Sequence, residues 1–408
     1  MKLDIKGIAL IVALMVIVAM GAYIVGMNQS GDSVPPTVST AGNQPRDLLP
    51  GQSPSNRVSP HGMAGQAAKF SHFRVGNRNV KGMTADKGAV WVGTSGGVLR
   101  YDLKTDNYEL FDVANGSLLS NGVFHVSKLG DKLAVGTYGG GLSLYNPGDK
   151  TWKNYNIPQG LADQFVYDVQ RVSNGDIWIA TWSGVNRIKG GNLDDASQWE
   201  TYNLENTKGG LPNDWVYGLE ESADGAMWFA TENGVARFKD GKWQNWQHDG
   251  GVGAPFELVK DDISFNRDPG DASRHHARQK EEQGLSNVNV AYNPNYVVSM
   301  EIDAKGMIWG GTWGGGLARF DGARWKNFTV KDGLPSNHVF MLYMDPQQRL
   351  WIGTSHGLAR LNADGESFTV LTRQDGLFAD NVFSMASADD GSIWVGSFGG
   401  VARLHDVK

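Results

Sequence analysis

The chain has 408 residues, 37 Lys and Arg against 43 Asp and Glu, a net charge of −6, and no cysteine. The charge argues against a general nucleic-acid binder, and the missing thiols exclude disulfides, thiolate zinc sites and covalent haem attachment. Its 54 glycines are about twice the usual share of roughly 7%, and they lie in recurring turns rather than in one low-complexity block.

In chain order, the first expected element is a membrane anchor. Residues 8–25, IALIVALMVIVAMGAYIV, are free of charge and follow Lys2 and Lys6. A run of this length spans a bilayer as a helix, with the lysines on the cytoplasmic side. A cleaved signal peptide with small residues Ala19 and Gly21 is the competing reading, but the apolar run is longer than that role needs. Residues 1–27 are therefore expected to be the anchor. Residues 28–68 are rich in Pro, Ser, Gly and Asn and read as a flexible tether.

From residue 69 onward the sequence repeats. Trp91, Ala134, Trp178, Trp228, Trp309, Trp351 and Trp394 occupy equivalent positions, in steps of 43, 44, 50, 81, 42 and 43 residues. Each unit holds an apolar segment (VYDVQRV, VFMLYMD), a turn, a β-branched Trp strand, a Gly turn, a further strand (GLARF) and an aromatic strand (TWKNYNI, RWKNFTV). Four short strands per period of about 43 residues make a β-propeller blade. Outer strands are expected at 107–113, 151–157, 198–204, 242–248, 324–330 and 367–373, one fewer than the Trp positions. FSHFRV, residues 70–75, is expected to complete the last blade and seal the ring, giving an all-β, seven-bladed β-propeller with an N-terminal transmembrane helix.

Comparison among the copies separates framework from variation. The position two after Trp is always small, from Gly93 to Gly396, and the next is a hydroxyl, Thr94 to Ser397. Such a hydroxyl bonds the backbone of the following turn. Arg100, Arg187, Arg237, Arg319, Arg360 and Arg403 recur one strand later, with Leu144 in the second copy. These three sets are read as structural, and the second unit, lacking both Trp and Arg, as the weakest.

The pattern is similar to W-[IV]-G-T-x-x-G-[LV]-x-R-[FY], and GLPSNHV, GLPNDWV and GLFADNV precede three inner strands. On these motifs the chain resembles the two-component regulator propeller repeat family over about residues 70–408. The resemblance implies an extracytoplasmic sensory role, because such propellers commonly form the sensory part of membrane-bound histidine kinases. With repeats reaching Lys408, no kinase, receiver or DNA-binding domain is expected here.

Function is then sought at the turns between second and third strands and at the entries to inner strands, which share one face. Tyr138, Trp182, Trp313 and Phe398 sit at turn tips, and Phe165, Trp215, Tyr296 and His338 just before inner strands. An aromatic funnel of this kind suits a small ligand or a partner's loop, while simple packing between connections is the plainer alternative. His338 and His356 lie in one unit, but no carboxylate at fixed spacing completes a metal site, so neither metal nor cofactor is expected. The 81-residue step holds a charged insertion at about 250–293, either a loose lid or a partner-binding arm, with an Arg278–Glu282 pair on one helical turn. The expected function is non-catalytic binding, as a sensory or scaffolding module on the periplasmic side of the cytoplasmic membrane. The alternative is a lyase or hydrolase using top-face histidines, since MWFATENG is similar to repeats of virginiamycin B lyase-type propellers.

Overall fold

Each Trp-bearing strand pairs antiparallel with a strand on either side, and this unit recurs along the chain. The computed structural model describes residues 70–263, 277–278, 280–281 and 285–405. Val123–Leu129, Lys132–Thr137, Leu142–Asn146 and Thr151–Tyr155 form one four-stranded sheet in chain order. Four further sheets of the same order begin at the inner strands Val166–Arg171, Val216–Glu221, Asn293–Ile302 and Val339–Met344. Neighbouring inner strands touch, and Val382–Ser387 touches Phe70–Asp86, which closes the row into a ring. The architecture is an all-β propeller.

The expectation of seven separate blades is corrected. The described residues form six sheets, five of four strands and one of six, so that counted by sheets the propeller has six blades. The six-stranded sheet runs Val382–Ser387, Ile393–Leu404, Phe70–Asp86, Ala89–Thr94, Gly97–Asp102, Tyr108–Phe111. Its origin is the long strand Phe70–Asp86. Phe70 pairs with Leu404 and Arg74 with Gly400, whereas Val80 pairs with Thr94 and Asp86 with Ala89. Residues 70–75 do meet the last Trp unit, but the chain continues through GNRN as strand instead of ending a separate blade. Phe73 locks this junction, only 5% exposed, stacked on Trp394 at 4.9 Å and tilted against Tyr101 at 5.0 Å.

The expected transmembrane helix is not among the described residues, none of whose helices is long and apolar enough to cross a membrane. The expected anchor and tether, residues 1–68, lie outside the described residues.

The framework residues acquire physical reasons. Trp178 stands directly opposite Arg187, whose guanidinium lies 5.5 Å from the indole centroid. The same cation–π contact forms in the other five Trp–Arg pairs. In the second unit Ala134 faces Leu144, so both partners are exchanged together and no charge is left without its ring. The small position is pressed by the next inner strand: a Cβ on Gly93 would come within 2.5 Å of Val123, and one on Gly396 within 2.5 Å of Val80. Six Thr hydroxyls donate to the carbonyl closing their turn, as Thr354 does to Gly357 at 2.9 Å. Ser397 instead reaches Ala379, because Ile393–Leu404 runs on as strand where the other units turn.

In the insertion, Ala254, Val259 and Tyr292 form a small core, and Tyr292 Oη donates to the Ala254 carbonyl at 2.8 Å. Ala277, Arg278, Lys280 and Glu281 are helical, while Glu282 of the expected pair lies outside the described residues.

Candidate functional site at the channel mouth

Backbone pairing first brings turn tips and strand entries together. Tyr138 bridges to Phe165 and Trp313 to His338, so a tip of one unit docks on the entry of the next. Their rings continue the contact. Tyr138 meets Phe165 at 4.5 Å, Phe165 meets Trp182 at 5.0 Å, and Trp182 meets Trp215 at 4.2 Å. A second run joins Tyr296 to Trp313 at 5.8 Å and Trp313 to His338 at 5.2 Å. Between the two runs the tip is Glu232, fully buried, whose charge helps raise the nearby Tyr167, Tyr217 and Tyr296 phenols after burial itself.

Exposure divides these residues. Phe165, Trp215, Tyr296, Trp313 and His338 are buried, while Tyr138 and Trp182 are half-buried. Burial pushes the Tyr138 phenol up to about 12. Phe398 and His356 stand apart from both runs. The Phe398 amide donates to Asn381 Oδ1 at 3.3 Å, and exposed His356 has Nδ1 2.9 Å from Ser355 Oγ. His338 Nε2 donates to the Ala291 carbonyl at 2.7 Å, and burial lowers its pKa to about 3, so the ring is neutral near pH 7. Among the described residues no three His, Asp or Glu side chains are placed to hold a metal ion.

Beneath the tips lies a set of residues that the repeat pattern did not single out. Every inner strand breaks register just after a buried Val, at Val80/Gly82, Val123/His125, Val216/Gly218, Val297/Ser299, Val339/Met341 and Val382/Ser384, with the equivalent slip opposite Ala180/Thr181. A bulge inserts one residue that the ladder does not pair, and re-aims it. The inserted residues are Lys81, Phe124, Tyr167, Tyr217, Val298, Phe340 and Phe383. They touch around the ring: Lys81 Nζ is 4.7 Å from the Phe124 centroid, Phe124 is 4.9 Å from Tyr167, and Tyr167 is 4.9 Å from Tyr217. Tyr217 meets Tyr296 at 5.0 Å, and Phe340 meets Phe383 at 5.3 Å. Phe124 also joins the upper rings through Tyr138 at 5.5 Å, and Phe340 through Trp313 at 5.8 Å. The result is an aromatic collar. The signal was present as Val followed by an aromatic residue, Lys or Val, ten residues before the Trp position in the first two units and eleven before it in the other five.

Further along the same strands is an acidic tier. Asp168 accepts from the Leu219 amide at 2.8 Å and faces His125 Nδ1 at 3.3 Å; Glu301 accepts from the Met344 amide at 3.1 Å. These bonds join successive inner strands. Burial raises Glu220 well above the carboxylate range, with the charges of Glu301 and Asp168 adding to it, and raises Glu301 to about 7. Burial also raises Asp168, against the favourable His125 and backbone amides.

Three stretches, residues 160–183, 210–233 and 333–356, match the family model for the two component regulator propeller. The chain carries two component regulator propeller repeats. Each matched stretch spans an inner-strand entry and the following turn tip, so the model covers Phe165 with Trp182, Trp215 with Glu232, and His338 with Ser355. The propeller is similar to the extracellular domain of BT3049 from B. thetaiotaomicron, assigned to the hybrid two component systems, at 21% identity and TM-score 0.63. The match covers 84% of this chain and 42% of that one, less than half its length. Virginiamycin B lyase from Staphylococcus aureus is similar at 14% identity and TM-score 0.56, over 83% of this chain and 99% of the lyase. YCF48 from Cyanidioschyzon merolae follows at 13% and 0.53, over 83% and 99%. At these identities the likeness to solved structures shows the fold alone. No curated protein sequence matches the chain.

Proposed function

We propose that the propeller is a non-catalytic binding module, sensory or scaffolding, that receives a ligand or a partner protein at the channel mouth. One observation carries this reading: half-buried rings at the turn tips continue without interruption into the half-buried collar below. Rings that only filled seams between blades would be buried like the framework Trp residues, of which Trp394 and Trp351 are at most 1% exposed. Residues 8–25 place the module, in this reading, on the extracytoplasmic side of a membrane, as part of a larger assembly. The extracellular two component domain of similar fold supports that setting, and a propeller of similar fold, YCF48, has been seen bound to D1 peptide. Against the lyase reading stands His338, enclosed and neutral, its Nε2–H committed to a carbonyl.

The test uses Tyr138→Ala with Trp182→Ala. Their melting temperature should stay close to the unmodified protein, since both rings are half-buried, while recovery of co-purifying partners from the native membrane falls at least tenfold. Full recovery by a folded double variant would refute the reading.

A further inference from the structure

Six of the bulge positions carry apolar or aromatic side chains, and one carries an amine. Lys81 is flanked by Phe124 on the next inner strand, and Phe383 holds the same bulge position on the strand before. Among the described residues Lys81 has no carboxylate in ion-pair range and no hydrogen-bond acceptor, and its sole close charge contact is the Phe124 face. A ring face attracts an ammonium but accepts none of its three N–H groups. The amine is half-buried beside the ring, and an anion that reaches it would supply the acceptor the protein does not. Burial lowers Lys81 to about 8, which leaves it mostly an ammonium at pH 7. The framework arginines show the contrast: Arg187 covers its Trp and also pairs with Asp176 at 2.6 Å, and Arg403 pairs with Asp106 at 2.8 Å.

We propose that Lys81 anchors a binding site for a small organic monocarboxylate, held by its carboxylate on Nζ and by its apolar body against Phe124 and Phe383. The chemistry selects among anions. A phosphate dianion is strongly hydrated and is held by clustered backbone N–H groups or several cations, whereas this site offers one ammonium among rings. Asp168, Glu220 and Glu301 stand on three other inner strands, so none of them takes the place of the ligand carboxylate at Lys81. The inference rests on the binding reading above and names its ligand class.

The test is calorimetric titration of the full-length protein with phenylacetate and, as its uncharged counterpart, phenylacetamide. The acid should bind about tenfold more tightly, the difference between a charge-assisted and a neutral hydrogen bond. Lys81→Met should erase that preference without lowering the melting temperature, because it removes an uncompensated charge, and Lys81→Arg should keep it. Equal binding of acid and amide, binding of neither, or a preference surviving in Lys81→Met would overturn the proposal. None of these results bears on partner recovery by Tyr138 and Trp182 variants, so the two readings fail separately.

Discussion

The Trp–Arg seams and the bulge collar repeat with the same period and differ in what they conserve from copy to copy. In the seams both backbone and side chain recur: Trp faces Arg, the small residue faces the next Val, and Thr closes its turn. In the collar only the backbone recurs. The bulge sits after the same Val in every inner strand, yet its residue is Lys, Phe, Tyr or Val. A position whose geometry is fixed and whose chemistry is free is where a repeat fold can carry recognition without unsettling itself. The seams hold the ring and the collar gives it a surface of its own.

The most severe way to break the scaffold side is at the junction of the six-stranded sheet. Phe73→Ala removes a ring stacked on Trp394 and Tyr101, and should cost about 3–5 kcal/mol. That is a large part of a domain's usual stability, roughly 5–15 kcal/mol. Chemical denaturation should show a lowered midpoint, and an unchanged midpoint would mean that the ring is not closed through residues 70–75.

How much of this was legible follows the same division. Trp, Thr, Arg and the small residues were readable because identical seams demand identical side chains. The count of separate blades was not. GNRN at 76–79 has the composition of a turn, but the strand passes through it with a register shift between Arg74 and Asn79. Composition reports turn preference, whereas continuity here is imposed by sheets on both sides. The collar escaped notice for the opposite reason, since its side chains vary and a bulge leaves no period of its own. Only the buried Val before it, from Val80 to Val382, marks the place. Of the top-face candidates, seven come together in two ring runs, while Phe398 and His356 stand outside because their turn tips have no aromatic entry beside them. The acidic tier needed the fold, because Asp168, Glu220 and Glu301 are far apart in sequence and adjacent only around the ring.

A gentler perturbation addresses that tier. The Glu301 carboxyl titrates at about 7 in the folded protein, above its ordinary value, through burial. An acid raised on folding favours the native state fully below its unfolded pKa, and that contribution fades as pH rises to about 7. Between pH 5 and pH 8 the unmodified protein should therefore lose stability from this source. Glu301→Gln keeps an oxygen for the Met344 amide and cannot ionise, so it should match the unmodified protein near pH 5 and melt higher at pH 8. Parallel melting curves at both pH values would show that Glu301 is not held in the enclosed tier.

The smallest expected effect on stability is at the collar itself, and there the account is tested most directly. Partner recovery from the native membrane and melting temperature should be measured together on Tyr167→Leu with Tyr217→Leu, beside the seam variant Arg360→Leu. Both collar rings are half-buried, so their loss should move the melting temperature little while recovery falls at least tenfold. Arg360→Leu should leave recovery intact, since among the described residues its guanidinium lies over Trp351 within the seam, away from the collar. A collar variant that recovers partners as fully as the unmodified protein would contradict the division between a ring that holds and a collar that binds.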